Sequence, residues 1–317
     1  MAPPLVSILI PCHNAAPWLA ATLESALAQT WPAKEIILID DGSTDGSLAI
    51  ARRYEPRGVR VFTQPNRGAS ATRNSAWQMA RGDYLQFLDA DDLISPDKIA
   101  LQVTALAGAP AGRVASCAWG RFRDDPTRAA FVDEALFRNF EPVEFLVLGG
   151  DAGRMIHPSA WLTPRMVAEQ AGRWNEELTL NDDGEFFSRV LLASTGITFT
   201  PAARSYYRSG LPGSLSQRRD ERSRRSQFRS IELIVEHLRQ AEDSPRVRRA
   251  IANYYQRFVY DFYPFPADLM ELAEQRIMAS GGSTLTPPMG SKTAALARLL
   301  GWRGVWRLKH WWHRPGR

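Results

Sequence analysis

The chain reads as an α/β protein with a mostly parallel central sheet flanked by helices and a C-terminal helical extension. Three observations predict this. Four short, nearly continuous apolar runs alternate with helix-period segments over the first hundred residues. Such runs suit strands buried on both faces of a parallel sheet. Polar residues collect at the ends of those runs, where an open sheet binds its ligands. After about residue 220 the strand signals stop and only helical spacing continues.

In order, the strand-like runs are "LVSILI" (5–10), "KEIILID" (34–40), "VRVFT" (59–63) and "DYLQFLD" (83–89). Helix patterns fall between them at about 17–29, 45–54, 68–80 and 96–107. Ser43 to Asp45 offers capping residues for the second, and Pro96 suits the first turn of the fourth. The middle is mixed: "GRVASCAWG" (112–120) and "IHPSAWLT" (156–163) read as strands, and "NDDGEFFSRVLLAS" (181–194) as a helix with an acidic start. "YYRSGLPGSLSQRR" (206–219) is a Gly/Ser/Pro-rich loop, and a boundary falls near 215–225. "SIELIVEHLRQ" (230–240) and "VRRAIANYYQRFVYDFY" (247–263) then carry apolar residues at helical spacing.

Composition narrows the function classes. A chain of 317 residues with 44% hydrophobic and 23% charged content is an ordinary globular protein of one large or two modest domains. Its two cysteines, Cys12 and Cys117, make no disulfide framework and no zinc spacing, which suits a reducing cytosol. The start lacks the basic and apolar regions of a signal peptide, and no run is apolar enough to span a membrane. The net charge of +5 is unevenly spread. From Ser291 onward there are seven Lys and Arg and no Asp or Glu, while the rest holds 32 basic against 34 acidic residues. A near-neutral body with a basic tail argues against a general nucleic-acid binder and for one localised partner of the tail.

The strand ends carry the chemistry. The first run ends in Pro11-Cys12-His13-Asn14, the second in Asp40-Asp41-Gly42-Ser43, the fourth in Asp89-Ala90-Asp91-Asp92. Taken singly these are a loop histidine, an ordinary turn and capping acids. Taken together at neighbouring strand ends they converge on one crevice. No G-x-G-x-x-G follows the first strand, which excludes a dinucleotide fold, and no G-x-x-x-x-G-K-[ST] is present. Clustered carboxylates repel unless a cation sits among them. They hold a diphosphate only through a divalent ion, and Mg2+ or Mn2+ prefers such hard oxygens.

Four segments together resemble the family 2 glycosyltransferases, inverting enzymes of GT-A fold that use nucleotide sugars. They are "VSILIPCHNAAPWLAATLESALAQTWPAKEIILIDDGSTDGS" (6–47), "NRGASATRNSA" (66–76), "GDYLQFLDADD" (82–92) and "HPSAWLTPRMVAEQAGRWNEELTLNDDGEFFSRVL" (157–191). They cover most of residues 5–216 in the family's order. The resemblance implies a GT-A domain over 1–220, with a nucleotide-sugar half of about 1–110 and an acceptor half of about 111–220. A helical extension (221–290) and a basic tail (291–317) follow. Pro11, His13, Asn14 and Asp41 then resemble the pocket for base and ribose, His13 standing where an aromatic stacks and Asp41 accepting from the base. Arg73 lies in the segment supporting base or diphosphate. Asp89 and Asp91 match the D-x-D motif, with Asp91 the direct ligand of Mg2+ or Mn2+ and Asp89 also facing the donor. Asp183 matches the catalytic aspartate and Glu185 its acidic neighbour, with Asp182 the competing base.

The resemblance has gaps. Relatives carry a His in the loop before their S-x-S, where this chain has Gly210 and Leu211. Arg208 and Ser214 remain as lid contacts to the diphosphate. Q-x-x-R-W is missing, so one sugar per encounter is expected. Implied partners are a nucleotide-sugar donor, chiefly a UDP-sugar, and a saccharide or lipid-linked saccharide acceptor in bacterial surface polysaccharide synthesis. Nucleic acid is not among them. A nucleotidyltransferase would want a Gly-rich loop after the first strand. A scaffold that binds nucleotide sugar without catalysis would want a broken Asp89, Asp91 or Asp183.

The tail, "SKTAALARLLGWRGVWRLKHWWHRPGR", holds four of the ten Trp. Trp among basic residues favours the headgroup layer of an anionic membrane. The alternative is a tail packed on its own domain. The first reading places the protein in the cytoplasm, peripheral on the inner face of the membrane.

Overall fold

The computed structural model describes residues 2–132, 134–153, 156–211, 220–264 and 266–312, and of residues 291–292 and 309–312 the backbone alone. The chain divides into two compact units: Met1–Phe145 with Met155–Arg218, and Leu146–Arg154 with Arg219–Arg317.

The first unit is built on a five-stranded sheet of order β3-β2-β1-β4-β7. Here β1 is Val6–Cys12, β2 Lys34–Asp41, β3 Val59–Gln64, β4 Tyr84–Phe87 and β7 Thr163–Pro164. The first four run parallel; β7 pairs antiparallel with β4. Almost every residue of β1 and β2 is buried, as their unbroken apolar runs require. Helices α1 (Leu19–Leu27), α2 (Ser47–Arg52), α3 (Ala69–Met79) and α4 (Lys98–Ala107) fall within the four predicted spans, each somewhat shorter. Val6, Ile8, Ile10, Ile36 and Leu38 pack with Leu19, Leu23, Ile99 and Val103 as one apolar cluster.

A second sheet of order β5-β8-β6 joins β5 (Leu93–Ile94), β6 (Val114–Phe122) and β8 (Ile197–Arg208). Segment 181–194 is helical as expected (α7, Asp182–Ala193); α6 (Arg165–Ala171) precedes it. Two of the strand expectations fail, and the expected loop at 206–219 still belongs to β8 as far as Arg208. Segment 156–163 is not a strand: it makes a tight 3-10 turn at Pro158–Ala160 and joins the sheet only at Thr163–Pro164. Pro158 has no N–H to give a ladder, and the buried His157 and Ser159 side chains turn to Asp92 instead. The fourth strand stops at Phe87, not Asp89, because the chain leaves the sheet at the acidic loop.

In the second unit α8 (Glu221–Ala241) starts nine residues before the segment read as helical, capped by the Asp220 carboxylate on the Ser223 N–H (2.9 Å). It packs with α9 (Pro245–Phe262) and α10 (Ala267–Ala279) through Phe228, Ile231, Val235, Ile251, Phe258 and Ile277, all buried. The end of α5 (Pro142–Ala152) belongs here as well, held by Asn253 and Arg249 on Asp151. The tail forms helix α11 (Ser291–Trp312), broken at Gly301. Among the described residues no helix is long and apolar enough to cross a membrane.

Candidate active site

Strands β1, β2 and β4 are neighbours, so the polar residues after them share one rim. In register, Cys12 faces Asp40, which sets His13 beside Asp41. His13 Nδ1 lies 3.0 Å from the Asp41 carbonyl oxygen, which can only accept. Asn14, at φ 49°, ties the first loop to the second: its Oδ1 accepts from the N–H of Thr44 (2.8 Å) and Asp45 (3.3 Å). Pro11 stays within β1.

The buried Asp41 carboxylate organises the far side. Oδ1 accepts from Gln64 Nε2 (2.8 Å) and the Arg67 N–H (2.9 Å); Oδ2 accepts from the Gly68 N–H (2.9 Å), which caps α3. A carboxylate oxygen has two acceptor positions. Among the described residues one position on Oδ2 therefore remains open to a donor. Gly42, at φ +67°, lets the backbone pass close by: a Cβ there would stand 3.0 Å from the Asn66 nitrogen.

Arg73, buried on α3, is the hub. Its guanidinium donates to Asp89 Oδ1 and to Asp182 Oδ2, both at 2.8 Å, and lies over the Trp174 ring at 4.5 Å. Burial would pull its pKa down, but Asp89 and Asp182 outweigh this and hold it above the ordinary arginine value. Ser70 Oγ also donates to Asp182 Oδ2 (2.9 Å). Arg73 thus joins the acidic loop to the first turn of α7.

The acidic loop is clamped through its backbone. The Asp89 carbonyl takes the Asp92 N–H (3.0 Å), Thr22 Oγ1 donates to the carbonyls of Ala90 and Asp92 (2.9 Å each), and Arg208 Nε to that of Asp91 (2.9 Å). Asp92 turns inward and is wholly buried. It accepts from the Arg208 N–H, His157 Nδ1 and Ser159 Oγ, each at 3.0 Å, and His157 Nε2 faces the buried Ser205 Oγ at 3.1 Å. Sequence reasoning gave His157, Ser159 and Ser205 no role, and Asp92 only a place in the acidic cluster. The signal was a third acid after D-x-D and the "HPS" inside a matched segment.

With the backbone fixed, Asp91 is left with no donor from another described residue. Burial first, then the charges of Asp92 and Asp89, push its carboxyl up to about 8. Among the described residues no group of three or more His, Cys, Asp or Glu forms a complete metal cage. Two carboxylates nonetheless fit Mg2+ or Mn2+, which commonly takes one or two protein carboxylates and completes its shell with phosphate oxygens and water.

Asp183 lies in the first turn of α7, where the helix dipole favours an anion. Burial, then Asp182, pushes its carboxyl up to about 6, and its Oδ1 accepts from the Gly184 N–H at 2.8 Å. Glu185 is not brought to this rim: it is buried and held in a two-pronged pair by Arg189 (2.7 and 2.9 Å). Arg208 is fixed over Phe122, with Nη1 on the Arg123 carbonyl at 2.6 Å. Ser214 lies outside the described residues.

The sequence profile of Glycosyl transferase family 2 matches residues 7–170. Over 103 residues the chain is 44% identical to an uncharacterized glycosyltransferase of Haemophilus influenzae, covering 32% of this chain and 41% of that protein. It is 41% identical over 103 residues to TuaG of Bacillus subtilis, a glycosyltransferase named for teichuronic acid biosynthesis, again 32% and 41% of the two chains. The match thus spans 41% of the length of these curated relatives. Among solved structures, Staphylococcus aureus TarS 1–349 in complex with UDP-GlcNAc is similar at a TM-score of 0.67 and 17% identity, over 87% of this chain and 79% of that one. The mannosyltransferase PcManGT of Pyrobaculum calidifontis in complex with GDP-Man and Mn2+ is similar at a TM-score of 0.55 and 18% identity, over 98% and 88%. At these identities the likeness is one of fold, the GT-A arrangement.

Proposed function

The chain belongs to glycosyltransferase family 2, and from that premise we propose that it is an inverting enzyme that moves one sugar from a UDP-sugar to a saccharide or lipid-linked saccharide acceptor. The observation that carries this is the Arg73 bridge, which sets the donor-side Asp89 and the acids opening α7 on one rim. The reaction is a single displacement. The acceptor hydroxyl oxygen attacks the anomeric carbon, the bond to the diphosphate oxygen breaks with its electron pair leaving on the nucleotide, and the hydroxyl proton passes to Asp183.

Asp183 is favoured over Asp182 as the base on electrostatic grounds. Asp182 Oδ2 is occupied by Ser70 and by the Arg73 guanidinium, so that oxygen is committed to the bridge. Asp183, pushed up to about 6, holds a proton more readily and is still ionised at neutral pH. Asp41 has an acceptor position left for a base N–H, and His13 stands beside it for stacking. Arg73 keeps the two acid clusters in fixed relation. Asp89 and Asp91 would hold Mg2+ or Mn2+, which when bound offsets the charge developing on the departing diphosphate.

TuaG, named for teichuronic acid biosynthesis, supports a place in bacterial polysaccharide synthesis, and the proposal puts it on the cytoplasmic side, where UDP-sugars are found. Calorimetric titration with UDP, GDP and dTDP, each with and without Mn2+, tests the donor site. UDP is expected to bind with Mn2+ and to lose binding in Asp91→Ala. Failure of every nucleotide to bind under every condition would overturn the reading.

A further inference from the structure

Helix α11 is kinked at Gly301 (φ 68°), and its two parts treat their apolar residues differently. After the kink Trp302 and Trp306 turn inward. Trp302 meets Tyr260 and Tyr263 edge-on, with centroids 5.1 and 5.2 Å away, and Trp306 Nε1 donates to the Tyr260 carbonyl at 3.0 Å. Val305 beside them is buried. For Trp302 and Trp306 this is the alternative reading of the tail, packing on its own unit. Tyr260 and Tyr263 offer them aromatic edges and Tyr260 a carbonyl acceptor.

Before the kink the leucines turn outward. Leu296, Leu299 and Leu300 are 41%, 84% and 50% exposed. At spacings of three and four they lie on one helix face. Leu308, beyond the kink, is 47% exposed. Arg298, Arg303 and Arg307 are exposed along the same helix, Arg303 paired with Glu274 at 2.6 Å and Arg307 over the Tyr263 ring. From residue 291 to 317 there are seven Lys and Arg and no Asp or Glu.

We infer that the Leu296–Leu299–Leu300 face docks the protein on an anionic lipid surface. The leucines enter the boundary between head groups and acyl chains, and the basic side chains meet the lipid phosphates. Charge selects this occupant. A second copy of the chain would set one acid-free basic segment against another, and those repel. Anionic lipid instead supplies the missing negative charge to an uncovered apolar face. The helix is not apolar enough to cross, so it lies in the interface. This docking face stands whether or not Asp183 is a base.

The test is co-sedimentation of the full chain with vesicles of phosphatidylcholine alone and with phosphatidylglycerol added. Binding is expected only to the anionic vesicles and is expected to weaken in high salt. The triple variant Leu296→Ser/Leu299→Ser/Leu300→Ser should reduce the apparent partition about tenfold or more. Because these leucines are exposed, the variant should keep its far-ultraviolet circular dichroism. Absence of binding, equal binding to neutral vesicles, or an unchanged triple variant overturns the inference. So does a wild-type dimer in analytical ultracentrifugation that the leucine variant dissolves, since a second copy would then cover the face.

Discussion

Asp182 and Asp183 are adjacent on one helix turn and have opposite surroundings. Asp182 faces Arg73 and Ser70, whereas Asp183 is half-buried beside that charge with its nearest donor its neighbour's N–H. Asp183→Asn should therefore lower kcat by about 10²–10⁴-fold while nucleotide affinity holds, the signature of a lost proton acceptor. A base works deprotonated, and this carboxyl is pushed up to about 6. The pH profile of kcat should accordingly be flat near neutrality and fall about tenfold per unit below pH 6. A profile flat to pH 5 would remove Asp183 from the role. The Asp92–His157–Ser205 chain makes a separate prediction. His157→Ala takes one donor from a carboxylate with no access to water, which should cost about 1–3 kcal/mol of stability in urea titration. Since Asp92 anchors the loop that carries Asp89 and Asp91, the variant should also bind Mn2+ more weakly without substrate present. Unchanged Mn2+ affinity would confine His157 to the fold.

At the scale of elements, the residues legible in the sequence are those whose role follows from strand position alone. The runs at Val6–Cys12 and Lys34–Asp41 are apolar because both their faces are covered, and pairing of β1 with β2 and β4 makes His13, Asp41 and Asp89 follow or end neighbouring strands. The Arg73 bridge was not legible, since its partners are 16 and 109 positions away and no local period encodes such a pairing. β8 was also missed. Its pairing with β6 shifts between Cys117 and Ala118, where Pro201 and its neighbours are skipped, and a proline there argues against a strand reading. The segment around His157 failed the other way, because a buried turn and a buried strand have the same apolar composition. The turn between β2 and α2 offers a test. Gly42→Ala would force a left-handed residue and press a Cβ to 3.0 Å from the Asn66 nitrogen. It should cost about 1–2 kcal/mol and, by shifting the 64–68 segment off Asp41, raise the UDP Kd. Normal UDP binding in that variant would separate Asp41 from the base.

At the scale of the molecule, every described candidate residue for donor, metal and base, from Pro11 to Arg208, lies in the first unit. The second unit carries the acid-free basic helix and the exposed leucines. The two activities proposed for this chain therefore read out separately. A ligand that binds only the native state stabilises it by RT ln(1 + [L]/Kd), about 2.7 kcal/mol at a hundredfold excess over Kd. Amide hydrogen exchange shows where that free energy acts, because local openings that break the site become rarer when ligand is bound. With UDP and Mn2+ the amides of residues 41–43, 66–70 and 89–92 should slow most. They include the Arg67 and Gly68 N–H groups on Asp41 and the Asp92 N–H that closes the acidic loop. Anionic vesicles should instead slow amides within Ser291–Trp312 and leave the acidic loop unchanged. If UDP and Mn2+ protected only residues 221–312, the nucleotide would be bound away from Asp41 and Asp91, and the donor site drawn from the strand ends would be wrong even though the fold is right.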